Sequence, residues 1–480
     1  MFDATVTIPS WVFSLLLLAG AYAALVSILL PGVRWFLRRR LNRAVERLNA
    51  RLSITIKPFQ QTRRQELIEK LVFDPEVMRV IEEQSQASGT PREVLQQQVK
   101  RYAREIVPSF NAYVYFQVGY WMAKRLSRAL YRVRVSAADP AVLQSLDEDS
   151  TVVFVMNHRS NMDYVLISYL AAEQVTLSYA VGEWARVFPL ESIIRAMGAF
   201  FIRRGYHNPL YRKVLGRYVQ MATESGVCQA VYLEGGLSRD GRLGKPRLGF
   251  LDYMLRHYDY RRDRNITFVP VGINYDRVIE DENLIHWDNR KQRQSTSQNL
   301  RQGMRFLRHN LFVGSRRRWR MHGYAGVNFG IPINMRDYCE QHGLVFDELP
   351  NRQRLPELGR VAELLMQQVS HVIPILPVPL VAMVFMQHGD KGLRSLDVLA
   401  LCDESIERLM RAGAPMTDVQ KPRQRTLARA LESLCERGLL AEQDDFYQII
   451  PQRRQLLAYY ANSLAQWQGA DENEAVSEGG

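Results

Sequence analysis

The chain has 480 residues, 47% hydrophobic and 10% aromatic, which is enough apolar material for a buried core in two or three domains and excludes wholesale disorder. Its 63 basic and 50 acidic side chains leave a formal charge of +13, so its partner is expected to be anionic: nucleic acid, acidic lipid, or a phosphorylated substrate and its carrier. Cys228, Cys339, Cys402 and Cys435 are widely spaced, without a CxxC pair or His-rich zinc spacing; they read as free thiols in a reducing compartment, and no metal site is expected.

Residues 1–36 predict a membrane anchor. Ser10 to Leu30 is a run of 21 residues without a charge, long enough for a helix to cross a hydrocarbon core of about 30 Å. Arg34, Arg38, Arg39, Arg40, Arg43, Arg47 and Arg51 follow it, whereas only Asp3 precedes it. The positive-inside bias then places the N-terminus outside and the remainder in the cytoplasm, as a single-pass protein of the inner, cytoplasmic membrane. Arginines on that side of the span do not suit a cleaved signal peptide. They also give the net charge an acidic-lipid explanation, and no nucleic-acid-binding pattern is present.

Residues 37–140 read as helical. Asp74-Pro75-Glu76 opens one helix, and Gly89-Thr90-Pro91 breaks before the next, with Thr90 as its cap and Pro91 at its first position. Val114 to Tyr131 is apolar and then basic, a pattern that fits a helix on a membrane surface as well as a core helix with a solvated end. Residues 141–345 read as an α/β domain. Strand-like runs at 151–156, 230–233, 266–271 and 327–331 alternate with helical ones at 164–172, 190–197 and 210–225. Residues 346–468 read as helical again. Val372 to Met386 is strongly apolar but carries Pro374, Pro377 and Pro379 and is too short to span, so burial is expected. Residues 469–480 form an acidic tail with a disordered composition.

The chemistry is expected just after the first strand of that α/β domain, in Asn157-His158-Arg159-Ser160-Asn161-Met162-Asp163. On one straight helix His158 and Asp163 would lie about 140° apart. With His158 in the strand-to-helix loop and Asp163 in the first helical turn, they can meet. Asp163 then accepts the proton of one imidazole nitrogen and leaves the other free to take a proton from a hydroxyl. The spacing alone is weak, because His342 and Asp347 repeat it without a preceding strand.

The segment HRSNMDY resembles the first conserved block of the glycerol-phosphate acyltransferases, and the other blocks follow in order. Gly198-Ala-Phe-Phe-Ile-Arg-Arg204 resembles the second, Glu234-Gly-Gly-Leu-Ser-Arg-Asp-Gly-Arg242 the third and Phe268-Val-Pro-Val271 the fourth. Asp74 to Val77 and Arg101 to Ile106 are similar to the helical region before the catalytic domain of the bacterial membrane-bound enzymes, and Val327 to Gly330 and Tyr459-Tyr460 to later parts. The resemblance covers about residues 70 to 465. It implies a mixed α/β sheet flanked by helices, His158 as general base and Asp163 as its partner. Arg203, Arg204, Glu234, Gly235, Ser238 and Arg239 are implied at the acceptor's phosphate, with Glu234 better suited to ordering an arginine or meeting acceptor hydroxyls.

The expected reaction is acyl transfer from acyl-CoA or acyl-carrier protein to the sn-1 hydroxyl of glycerol 3-phosphate, giving lysophosphatidate, with no cofactor. Lysophosphatidate or dihydroxyacetone phosphate as acceptor, and a non-catalytic acidic-lipid-binding membrane protein, are the competing readings. Leu237, Asp240 and Asn161 depart from the family pattern, and the chain is shorter than the long bacterial enzymes.

Overall fold

Residues 57–135, 146–147, 149–171, 176–182, 190–203, 205–285, 322–389, 392–416 and 423–468 are described by the structure, a computed structural model. The expected span at 10–30, Arg204 and the acidic tail lie outside the described residues. The described residues all belong to one compact unit, residues 53–480. Among them no helix is long and apolar enough to cross a membrane.

Eight strands form a mixed sheet: β1 (Arg132–Val135), β2 (Thr151–Met156), β3 (Ser178–Gly182), β4 (Phe200–Ile202), β5 (Gln229–Tyr232), β6 (Ile266–Tyr275), β7 (Tyr324–Phe329) and β8 (Ile333–Asn334). Their order is β1-β7-β6-β2-β5-β3-β4, with β8 beside the first half of β6. β2 runs parallel to β6 and β5, and β7 antiparallel to β6. All six residues of β2 and all ten of β6 are buried, because helices cover both faces. Val153 and Val155 point into one hydrophobic cluster, and Val152, Phe154 and Met156 into the other.

The first cluster is filled by helices α1 (Arg64–Val72), α2 (Pro75–Ser88) and α3 (Arg92–Ile106), which precede the sheet in sequence. The second takes α4 (Tyr120–Leu130) and α5 (Met162–Ala171). The first is completed by α6 (Pro209–Glu224), α7 (Gly249–Leu255) and, after the short α8 (Asp281–Ile285), by α9 (Asn351–Val372). The second is completed by α10 (Pro377–His388), α11 (Arg423–Glu436) and α12 (Arg454–Ala461). Both clusters therefore draw on segments before, within and after the sheet.

Some expectations shift. β6 continues to Tyr275, four residues beyond its expected end at Val271. Pro270 is tolerated inside it because β7 begins pairing at Val271 and β8 at Phe268. The proline thus faces the gap between them, where only its carbonyl is used, by Gly330. Strands β1, β3 and β4 are too short to show a period in the sequence. α3 begins at Arg92 with Pro91 as its N-cap and no side-chain cap, so Thr90 does not cap it. α4 is preceded by a π-helical stretch, Val114–Gly119, and Tyr115, Gly119, Ala123 and Ser127 are buried at four-residue intervals along the two. Residues Pro377–Phe385 of α10 are all buried, as expected, with Pro377 and Pro379 in the first turn, where no intrahelical N–H is needed. The C-terminal region also holds a three-stranded sheet, β9 (Leu393–Arg394), β10 (Leu440–Gln443) and β11 (Phe446–Ile449), where only helix was expected.

Asp74 joins α2 to α6. Its Oδ1 accepts from Glu76 N and Val77 N at 3.0 and 3.3 Å, and its Oδ2 receives both prongs of Arg217 at 2.8 and 3.0 Å. Asp74→Ala removes a cap and one of the two carboxylates on Arg217, which keeps Glu76 and Gln220. It is expected to lower stability by about 1–2 kcal/mol, read as a reduced urea midpoint at unchanged slope.

Candidate active site

β2 ends at Met156, and the next residue fixes how the chain leaves the sheet. The Asn157 side chain mimics one more strand residue: its Nδ2 donates to Ile273 O at 2.8 Å and its Oδ1 accepts from Ile273 N at 2.7 Å. This frees the 157–161 backbone to turn away from β6 just before α5 starts.

His158 and Asp163 meet in that turn. Nδ1 of His158 lies 2.9 Å from Asp163 Oδ2, and both residues are buried. The same Oδ2 accepts from Arg159 N at 2.7 Å and Ser160 N at 3.0 Å, and Oδ1 accepts from the Tyr275 hydroxyl at 2.7 Å. All four groups around the carboxylate can donate to it, so it is the acceptor and Nδ1–H of His158 the donor. The Nε2 nitrogen is then the one left for chemistry. The imidazole stacks on Tyr232 with centroids 4.0 Å apart and meets the edge of Tyr164 at 5.4 Å. His342 and Asp347 do not form such a pair. His342 Nδ1 donates to Tyr338 O, and Asp347 instead contacts His257 and Arg262.

The loop after β5 closes against this turn. Glu234 Oε1 accepts from His158 N at 2.8 Å, and its Oε2 accepts from Gly244 N at 2.8 Å. Ser238 N donates to His158 O at 2.9 Å. The Ser238 hydroxyl donates to Arg242 O at 2.7 Å and accepts from Gly241 N at 3.1 Å. Glu234 and Ser238 therefore hold the loop to the histidine backbone through contacts within the chain. Gly235 has φ +69°, and a Cβ there would lie 2.7 Å from the Arg247 side chain. Gly241 has φ +87°, and a Cβ would overlap the carbonyl oxygen of Tyr459, so α12 is seated on this loop.

The arginines divide. Arg239 is exposed on the loop. Arg203 gives both prongs to Glu105 of α3, at 2.8 and 2.6 Å, among the rings of Tyr102, Tyr206 and Tyr211. The carboxylate raises its already high pKa. Of the residues expected at the site, the structure joins His158, Asp163, Glu234 and Ser238 by direct hydrogen bonds, and it engages Arg203 with α3.

Sequence reasoning missed Tyr275 and Glu280, both beyond the expected end of β6, and Arg159. Glu280 accepts from Ser160 Oγ at 2.8 Å, Asn161 N at 3.2 Å and Asn161 Nδ2 at 3.0 Å. Arg159 is buried, donates to Gly241 O and lies over the Tyr459 ring. Nothing in the spacing signalled them, apart from the arginine's place beside the histidine. Among the described residues no cluster of His, Cys, Asp and Glu could hold a metal ion.

His158, Asp163, Glu234 and Ser238 lie within residues 138–274, which match the family model described as Acyltransferase, and that defines the class. Residues 309–467 match the model described as Glycerol-3-phosphate acyltransferase C-terminal region. The chain belongs to the glycerol-3-phosphate acyltransferase family of that superfamily. A glycerol-3-phosphate acyltransferase of Aeromonas hydrophila is 33% identical over 316 residues, which are 63% of this chain and 37% of the relative. One from Haemophilus influenzae is 25% identical over 414 residues, 84% of this chain and 49% of the relative. The chain thus spans about half the length, or less, of these curated relatives. Among solved structures, the 1-acyl-sn-glycerophosphate (LPA) acyltransferase PlsC from Thermotoga maritima aligns with 65% of this chain and 97% of its own at 15% identity, with a TM-score of 0.29, too loose a likeness to bear on the fold.

Burial pushes the Glu234 carboxyl up to about 7, against the pull of its two backbone N–H donors. The unfolded chain gives up this proton near 4.5, before the folded one does, so stability falls as pH rises from about 4.5 to about 7. Glu234→Gln removes that slope. Between pH 4 and pH 8 the stability difference is expected to move in the variant's favour by about 3 kcal/mol, read from urea unfolding of both proteins across the pH series.

Proposed function

We propose that this chain transfers an acyl group from a thioester, acyl-CoA or acyl-carrier protein, to the sn-1 hydroxyl of glycerol 3-phosphate, giving lysophosphatidate. The observation that carries this reading is the His158–Asp163 pair, with the carboxylate held by three further donors. The relatives' name supports the acceptor.

His158 Nε2 takes the proton from the acceptor hydroxyl as its oxygen attacks the thioester carbonyl. The C–S bond then breaks, and the imidazolium returns the proton to the departing thiolate. Asp163 stabilises the transient positive charge and keeps the ring in the required tautomer. A thioester is already activated, so no acyl-enzyme is required. Arg239 and Arg204 meet the acceptor's phosphate in this reading; Arg203 joins them through the edge of its guanidinium left by Glu105. Gly235, Ser238 and Glu234 act by shaping the loop.

The protein works at the inner face of the cytoplasmic membrane, held by residues 10–30 as a single crossing with the N-terminus outside. The uncharged run followed by seven arginines supports this placement. So does the exposed face around α4, where Tyr113, Val118, Trp121 and Met122 are followed by Arg125 and Arg128.

Free-thiol release from palmitoyl-CoA and from palmitoyl-acyl-carrier protein, with and without glycerol 3-phosphate, tests the reaction. Thiol release is expected only with the acceptor present. His158→Ala is expected to lower kcat by about 10²–10⁴-fold. Full activity in that variant, or preference for lysophosphatidate over glycerol 3-phosphate, refutes the reading.

A further inference from the structure

The carboxylate oxygen of Asp163 that meets His158 also accepts from the peptide N–H groups of Arg159 and Ser160. Those two peptide units belong to a turn with few bonds of its own, Met162 N to Ser160 Oγ at 3.1 Å and Asp163 N to Ser160 O at 3.0 Å. The outer side of this turn is gripped by one side chain from elsewhere. Glu280 takes the Ser160 hydroxyl on Oε2, and both the backbone and side-chain N–H of Asn161 on Oε1.

Glu280 is itself anchored from the far end of the chain. It directly precedes α8, and Leu284 N donates to its carbonyl at 2.9 Å. The next residue, Asp281, forms a buried ion pair with Arg437 at 2.7 Å. Arg437 Nη2 also lies 2.9 Å from the Tyr460 hydroxyl, which donates to Asp281. Tyr460 Oη accepts in turn from Val278 N at 3.1 Å. The segment 278–281 is thus clamped to the stretch just after α11 and to α12, both within the C-terminal region.

From this chain of contacts we infer that Glu280 is a positioning residue for acyl transfer. It holds the 159–161 turn so that the two N–H groups stay on Asp163, and through it the C-terminal helices set the geometry of His158. The inference rests on the catalytic reading of His158 given above. Glu280 touches neither reacting group; it acts through the turn.

The test is a double-mutant cycle in the thiol-release assay on the 480-residue chain, with palmitoyl-CoA, palmitoyl-acyl-carrier protein and glycerol 3-phosphate. Glu280→Ala is expected to lower kcat on the order of 100-fold with KM for both substrates within about twofold, as for a misplaced catalytic group. Asn161→Ala removes one of the three donors, and it is expected to lower kcat by about 3- to 10-fold. The double variant is expected to be no slower than Glu280→Ala, because both changes break one contact. Glu280→Gln keeps an acceptor for Asn161 and is expected to recover most of the rate. Glu282→Ala, which removes a surface carboxylate paired with Arg453, is expected to match wild type.

Thermal unfolding of each variant accompanies the kinetics. Should Glu280→Ala fail to fold, Asn161→Ala and Glu280→Gln carry the test. Unchanged kcat in Asn161→Ala, a raised KM in place of a lowered kcat, or additive losses in the cycle overturns the positioning role while the reading of His158 stands. A His158→Ala protein as active as wild type overturns both.

Discussion

One carboxylate organises this site. Asp163 accepts an imidazole N–H, two peptide N–H groups and a tyrosine hydroxyl. A buried charge is tolerated only when its lone pairs are taken up, and here they are taken up by groups from the turn before α5 and from the last residue of β6. Several features of the fold follow from the need to deliver those donors. β6 must run to Tyr275, and the chain must leave β2 immediately after Met156. The Asn157 amide allows that departure by standing in for the backbone partner that β6 loses.

The loop after β5 adds a second level of restraint. Glu234 and Ser238 bond to the backbone of His158 itself, on its N–H and its carbonyl. The histidine is therefore held at its main chain by this loop and at its ring by the first turn of α5. Gly241 lets that loop lie flush against Tyr459, and Arg159 spans the same junction by reaching Gly241 O beneath the Tyr459 ring. Segments 300 residues apart in sequence thus meet beside His158.

Much of the frame was legible in the sequence because buried strands carry their own signature. The runs at 151–156 and 266–271 are apolar and β-branched, and they became the two central strands. The His–Asp pairing was legible for a geometrical reason: five residues cannot close on a helix but can close across a turn into one. The same reasoning set aside His342 and Asp347, whose partners prove to be elsewhere. What could not be read was the use of each polar residue. Glu234 and Ser238 look from sequence like ligand contacts, yet their bonds are to the chain itself. Arg203 looks like a free fork, yet Glu105 fills it. Tyr275 and Glu280 lay beyond the expected strand end at Val271, and the break between β7 and β8 explains why Pro270 does not stop β6. Pairings set by tertiary contact leave no period along the chain.

The ion pair between Asp281 and Arg437 has a consequence in time as well as in space. Two charges removed from water depend on each other, and until Arg437 is present Asp281 has no counter-charge at this position. Tyr460, which completes the group, is made later still. On a growing polypeptide the sheet and the loop bearing His158 are synthesised long before their supports. The site therefore reaches its final form only after residue 460 has cleared the ribosome. A partly made chain would carry His158 without its setting, which the segments bearing Arg437 and Tyr460 complete.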